Sequence, residues 1–270
     1  MDEPVVGVLE DTFMALARLG EELGDDDWDR PTECPGWSVR DVYSHVIGTE
    51  RMLLGDPSPD GPAEIPDHVR NPVGAANEAW VAARRGLRGD VVLDELVDVC
   101  RGRIAQLRSF GPERFDEVGW SPVGQVPYRE FMAVRVMDCW VHEQDARQAT
   151  GRPGHGAGPA ADIALDRLQS AMPFVVGKQA QAPDGASVRL VVGGPSPRQI
   201  DVVVVGGRAT LGGSVLSTSP TVTLRLGSET FRRLTCGRIA GNRARIEGLV
   251  AVHGDERLGA ALLDAMAFMI

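Results

Sequence analysis

Residues 128–147, YREFMAVRVMDCWVHEQDAR, constrain the fold most, because charged groups sit among the apolar positions of a segment whose spacing predicts a buried helix. Phe131, Val134, Met137 and Val141 fall at i, i+3, i+6 and i+10, a stripe that must face a core. Asp138 and His142 lie on the edge of that stripe, four residues apart, so a carboxylate and an imidazole emerge one turn apart on one face. Such a pair is either part of a metal site or a hydrogen-bonded Asp–His pair in a partly buried helix. Zinc sites need three or four protein ligands, so a third ligand elsewhere decides between the two readings.

The second informative stretch is WDRPTECPGWSVRDVYSHVIGTERMLLG, residues 28–55. Pro31, Pro35 and Gly36 enforce an irregular connection, and Ser38 followed by Asp41 reads as a hydroxyl cap with an acid in the first helical turn. The helix that follows is predicted over 39–54, with Val39, Val42, Tyr43, Val46, Ile47 and Leu53 on its apolar face and His45 at the margin, one turn after Asp41. Asp41 is then a cap and partner of the histidine, or a solvated acid. Trp37 is expected as a core plug at the end of a helical bundle.

Around these two stretches the periodicity predicts helices over 6–22, 72–88 and 91–110, a Pro/Asp/Gly-rich loop over 55–72 with His68 as a solvated residue, and an irregular connector over 111–126 containing Trp120. Four long helices joined by loops form an antiparallel bundle, and side chains projecting inward from facing helices are how such bundles build metal sites. His45 and the Asp138/His142 pair can meet in that way. After Thr150 the texture changes: GRPGHGAGPA is a linker by composition, in which His155 is given no specific role. A helix over 162–176, strands over 187–192, 200–205 and 221–226, a short helix over 228–238 and a terminal helix over 255–269 complete the expectation. The fold class is thus α plus α+β: a four-helix bundle over 1–152, then a smaller α+β domain over 160–270 with a largely antiparallel sheet. The glycines of GGPSPRQ and GGRATLGGS are hairpin punctuation, because neither stretch fits a phosphate-binding loop or a dinucleotide fingerprint, and no G-x-S-x-G elbow is present.

A net charge of −10 with no basic block argues against nucleic acid or an anionic membrane surface as partner. No stretch approaches the ~20 apolar residues of a membrane span. Cys34, Cys100, Cys139 and Cys236 lack any spacing typical of a zinc ribbon or disulfide framework, and the chain opens on acid, without the basic and apolar runs of a secretory signal. Reduced thiols in a cytoplasmic protein are the expectation.

Together, T-E-C-P-G-W-S-V-R-D-V-Y-S-H over 32–45 and D-C-W-V-H-E-Q-D over 138–145 resemble the mycothiol-dependent maleylpyruvate isomerase family, a branch of the DinB-like metal-binding bundles. The resemblance implies a divalent metal, usually zinc, held by His45, Asp138 and His142. The family acid is usually glutamate, and aspartate here shortens that arm by one methylene. Asp145, one turn on, is placed to orient His142. S-E-T-F-R-R-L-T-C-G-R and A-R-I-E-G-L-V-A-V-H-G-D-E resemble the end of the family's sterol-carrier-type C-terminal domain. The resemblance further implies that an arginine of this domain assists the reaction, and Arg238 is the candidate, with Arg225 and Arg243 as rivals. The function so implied is a zinc- and mycothiol-dependent isomerase or S-transferase acting on a small organic substrate. The alternatives are a metal- or ligand-binding protein without turnover, and a hydrolase using metal-bound hydroxide without a thiol.

Overall fold

The computed structural model describes residues 3–62, 64–212 and 219–269, which form two compact units, one ending at His155 and the other beginning at Gly156. In the first unit, Pro4 and Pro72 occupy the first turns of α1 (Pro4–Glu21) and α3 (Pro72–Ala82), where a missing N–H costs nothing. α2 (Val39–Leu54) opens with a capping box in which the Asp41 N–H donates to Ser38 Oγ and the Ser38 N–H to Asp41 Oδ2, and it closes on Gly55 in the left-handed region. α4 (Gly89–Arg108), the short α5 (Pro112–Asp116), a hairpin of β1 (Val118–Ser121) and β2 (Gly124–Pro127), and α6 (Tyr128–Thr150) follow.

α1 packs on α4 and α6, and α2 packs on the same two helices, which makes a four-helix bundle with α3 laid against α2. Gly48 permits that last contact, since a Cβ there would lie 2.3 Å from Trp80 Cβ.

α3 stops at Ala82, short of the predicted Arg88. Beyond it the arginines diverge: Arg84 forks onto both carboxylate oxygens of Glu95 on α4, while Arg85 reaches back to Glu78 and Asp41. The connector expected to be irregular carries α5 and the β1–β2 hairpin, too short and too exposed to leave a periodic signal. α6 also departs from its simple stripe. It is buried on nearly every side, and Arg135, Glu143 and Asp145 are as enclosed as Met132 and Val136.

The second unit contains α7 (Pro159–Ser170), α8 (Met172–Phe174) running into a π-helical turn, and a five-stranded sheet. Its strands are β3 (Ser187–Gly193), β4 (Arg198–Val205), β5 (Arg208–Leu211), β6 (Val222–Gly227) and β7 (Val250–Gly254), in the order β5-β4-β3-β6-β7. β3 and β6 pair in parallel, and every other pair is antiparallel. The period-two pattern is plain: Val188, Leu190 and Val192 on β3 are buried, as are Ile200, Val202 and Val204 on β4 and Val222, Leu224 and Leu226 on β6. α9 (Ser228–Thr235), α10 (Gly241–Ile246) and α11 (Glu256–Ala265) complete the unit. Gly206 and Gly207 form the turn between β4 and β5, both with positive φ; Gly213 and Ser214, at the end of the same glycine-rich stretch, lie outside the described residues.

Candidate metal centre

α2 and α6 bring three donors together. His45 Nε2 lies 3.2 Å from Asp138 Oδ2, and His142 Nε2 lies 3.7 Å from Asp138 Oδ1, so one carboxylate faces an imidazole nitrogen with each oxygen. One ligand atom from each of the three residues falls within 4.8 Å of the others. The edge of a tetrahedron drawn around zinc at ordinary bond lengths is about 3.3 Å, so two of these separations stand near coordination spacing. The aspartate arm therefore reaches both histidines despite its missing methylene. The Nδ1 atoms of His45 and His142, on the far side of each ring from Asp138, are buried and make no hydrogen bond, that of His142 lying 3.4 Å from Asp145 Oδ2.

The walls of the site are built from charge pairs. Arg135, one turn before Asp138, donates from its NH1 to Asp138 Oδ2 at 2.7 Å and from Nε to Glu50 Oε1 at 2.8 Å. Glu50 also accepts from Arg103 Nε at 3.1 Å, and Arg103 NH2 donates to the Tyr128 hydroxyl at 2.6 Å. A chain of alternating charge thus runs from Tyr128 through the bundle core to Asp138. Burial alone would raise the Asp138 carboxyl, but His45 and Arg135 outweigh it and hold the group well below the usual carboxylate range. Burial lowers His45 below an ordinary histidine, and the facing Asp138 only partly offsets this. Asp138 is thus an anion, as a ligand must be, and His45 is biased toward the neutral form that coordinates.

Trp37 covers the histidines. Its ring centroid lies 5.1 Å from that of His45 and 5.7 Å from that of His142, whose own centroids are 4.8 Å apart. It is half-buried over the two rings, where the sequence suggested a core plug. Its indole N–H donates to Glu78 Oε2 at 3.1 Å, which also meets His68 Nε2 at 3.1 Å, while Arg85 pairs with Glu78 Oε1 at 2.7 Å. His68 is therefore a pin that holds the tryptophan loop, and the solvated role expected of it is corrected. Gly36 makes this possible: its φ is 78°, and a Cβ there would lie 2.3 Å from His68 Nδ1. Asp41 serves as a cap and binds Arg85, and it does not touch His45. His155 likewise has a role the sequence did not suggest, meeting Glu143 Oε2 through Nδ1 at 2.6 Å where the chain leaves α6.

The family model described as the mycothiol maleylpyruvate isomerase N-terminal domain matches residues 9–147, just over half of the chain. The chain belongs to that family. The matched segment contains His45, Asp138 and His142. Two uncharacterized proteins of Mycobacterium tuberculosis, one from each of two strains, are 27% identical over 170 residues, covering 63% of this chain and 78% of theirs. Crystal structures of the mycothiol-dependent maleylpyruvate isomerase and of a histidine-to-alanine mutant superpose with TM-scores of 0.59 and 0.58 at 16% identity, the first covering 88% of this chain and 89% of that one, the second 93% and 92%. At that identity the likeness establishes the fold. No helix among the described residues is long and apolar enough to cross a membrane.

Arg238 lies apart in sequence and in unit: it follows α9 in the second unit, half-buried, with its NH1 donating to the Cys236 carbonyl at 2.8 Å. Of its rivals, Arg225 is exposed on β6 and Arg243 is exposed and paired with Glu247 at 2.6 Å. Sequence reasoning missed Arg135, Glu50 and the cover formed by Trp37, Glu78 and His68. The available hint was Arg135 itself, an arginine on the buried helix one turn before a candidate ligand. A cavity of about 350 Å³ between α1 and α4, lined by Phe13, Leu96, Cys100 and Ile104 among others, shares no residue with the cluster.

Proposed function

We propose that His45, Asp138 and His142 hold one divalent cation, zinc, and that this family member is a mycothiol-dependent isomerase or S-transferase acting on a small organic substrate. The convergence of the three donors from α2 and α6 carries the reading. Three protein ligands leave a coordination position open, and zinc there would lower the pKa of a small-molecule thiol so that it is a nucleophile at neutral pH. The chain's own residues do the rest. Arg135 fixes the orientation of Asp138 and keeps it ionised. Asp145 stands 3.4 Å from His142 Nδ1 and biases the ring toward presenting Nε2 to the cation. Trp37 shields one side of both imidazoles from water. The net negative protein does not draw an anionic substrate by its long-range field, so an arginine must do so, and the family resemblance makes Arg238 the candidate.

The test is optical. Cobalt-loaded protein should develop a thiolate charge-transfer band on addition of mycothiol, and the metal-free protein should not bind the thiol. Arg238→Ala should lower thiol-dependent turnover while leaving metal content unchanged. If neither a new band nor thiol-dependent isomerisation, conjugation or hydrolysis is seen, the metal-binding protein without turnover replaces this reading.

A further inference from the structure

His142 turns a nitrogen toward each of two donor sets. Nε2 faces Asp138, while Nδ1, which is buried and makes no hydrogen bond, stands on the side of Asp145. There a ring nitrogen of His142, the Cys34 sulfur and a carboxylate oxygen of Asp145 lie within 4.8 Å of one another. Asp145 is fully enclosed and Cys34 half-buried.

The loop that presents Cys34 is held closely. The Cys34 N–H donates to Thr32 Oγ1 at 3.1 Å, the Trp37 N–H donates to the Cys34 carbonyl at 3.1 Å, and the Thr32 N–H and hydroxyl both donate to the Trp37 carbonyl, at 2.9 and 2.8 Å. A bridge between Pro31 and Ser38 closes the loop at its base. The thiol therefore faces α6 from a fixed backbone, at a distance in sequence that no short cysteine motif would reveal.

We propose that Cys34, His142 and Asp145 form a second cation position, selective for thiophilic divalent ions such as Cd²⁺ and alternative to the one on His45 and Asp138. Thiolate, imidazole and carboxylate make a three-ligand set, and the soft sulfur favours cadmium or zinc over magnesium, calcium or manganese. Binding releases the Cys34 thiol proton to solvent. A neutral imidazole has one lone pair, so His142 serves one position at a time. With the cation at Cys34, the ring proton moves from Nδ1 to Nε2, where it faces Asp138 Oδ1; with the cation at His45, the proton returns to Nδ1. Filling the second position thus strips a ligand from the first, and this holds whether or not the first supports turnover.

Cadmium titration of the metal-free full chain, with no added thiol, tests the proposal. The ultraviolet thiolate-to-cadmium absorption should rise and saturate near about one equivalent in both the wild type and His45→Ala, since the sulfur position needs no His45. Cys34→Ser should lose the absorption and still take up zinc at the first position. Cadmium NMR of the unsubstituted protein reads sulfur ligation directly, so a poorly folding variant leaves the question answerable. No absorption in the wild type or in His45→Ala, or an unchanged absorption in Cys34→Ser that would have to come from Cys100, Cys139 or Cys236, overturns the assignment. Zinc uptake by Cys34→Ser reads the first position separately, so the failure of one site is distinguishable from the failure of the other.

Discussion

The bundle hides Glu50, Glu78, Arg103, Arg135, Glu143 and Asp145 among its helices, whereas the sheet unit fills its interior with Val188, Leu190, Ile200, Val202 and Leu224 and, among the described residues, buries as charged groups only Arg232 and Arg233 of α9. Both interiors are closed to water, but they hold together by different means. The sheet depends on area and fit, so a lost methyl costs what its cavity costs. The bundle depends on pairing, and a buried charge whose partner is deleted costs more than the pair contributed. Here the pairs end on Asp138, the carboxylate between the two histidines.

Breaking the pairing should give the largest effect. Glu50→Ala leaves Arg103 and Arg135 without their common acceptor in a fully enclosed position, and the expected loss is about 3–5 kcal/mol, read as a fall in the urea midpoint of the bundle. A loss under about 1 kcal/mol would mean that water reaches the network and that the contrast with the sheet is false. In the sheet, Leu224→Ala should cost about 2–5 kcal/mol through its cavity, with a loss that does not change between about pH 5 and 8. A pH-dependent cost there would erase the distinction from the other side.

How far the sequence reached follows the same division. α2 was legible from its Ser38 cap and apolar period and α6 from its apolar stripe, and those features place His45, Asp138 and His142 on two helices of one bundle. The three central strands were legible from alternation. The edge strands β5 and β7 were not, because Arg208, Thr210 and His253 interrupt any apolar rhythm over so few residues. Nor was the charge network: Glu50 and Arg135 are 85 residues apart, and a pairing made across a bundle has no spacing to read. His68 was hidden for the same reason, since the glycine it packs on and the carboxylate it meets belong to different segments.

A smaller effect sharpens the comparison at the cover of the site. Gly36→Ala asks a left-handed residue to carry a Cβ against His68, and should cost about 1–2 kcal/mol in thermal unfolding with a weaker hold on metal, because the Trp37 loop is displaced. Unchanged stability and metal retention would mean that the loop is not pinned.

The slightest effect is a slope. In the metal-free protein, burial keeps the pKa of His45 below its unfolded value of about 6.5, so the unfolded chain takes up the proton first. The stability associated with His45 is complete above that pH and declines as pH falls below it. Asp138, held low, keeps its contribution until pH falls beneath the ordinary carboxylate value of about 3.9. Urea titrations at a series of pH values should therefore show a decline beginning near about pH 6.5 that His45→Gln reduces. A decline that begins only near about pH 4, the same in both proteins, would assign it to carboxylates alone.

Metal content tests the central claim most directly. Protein purified without chelator should carry roughly one divalent ion per chain by elemental analysis, and His142→Ala, which removes the histidine common to both positions, and the double variant His45→Ala/Cys34→Ser should each lose most of it while keeping their helical signal. Equal metal in all three proteins, or none in any of them, would contradict the site.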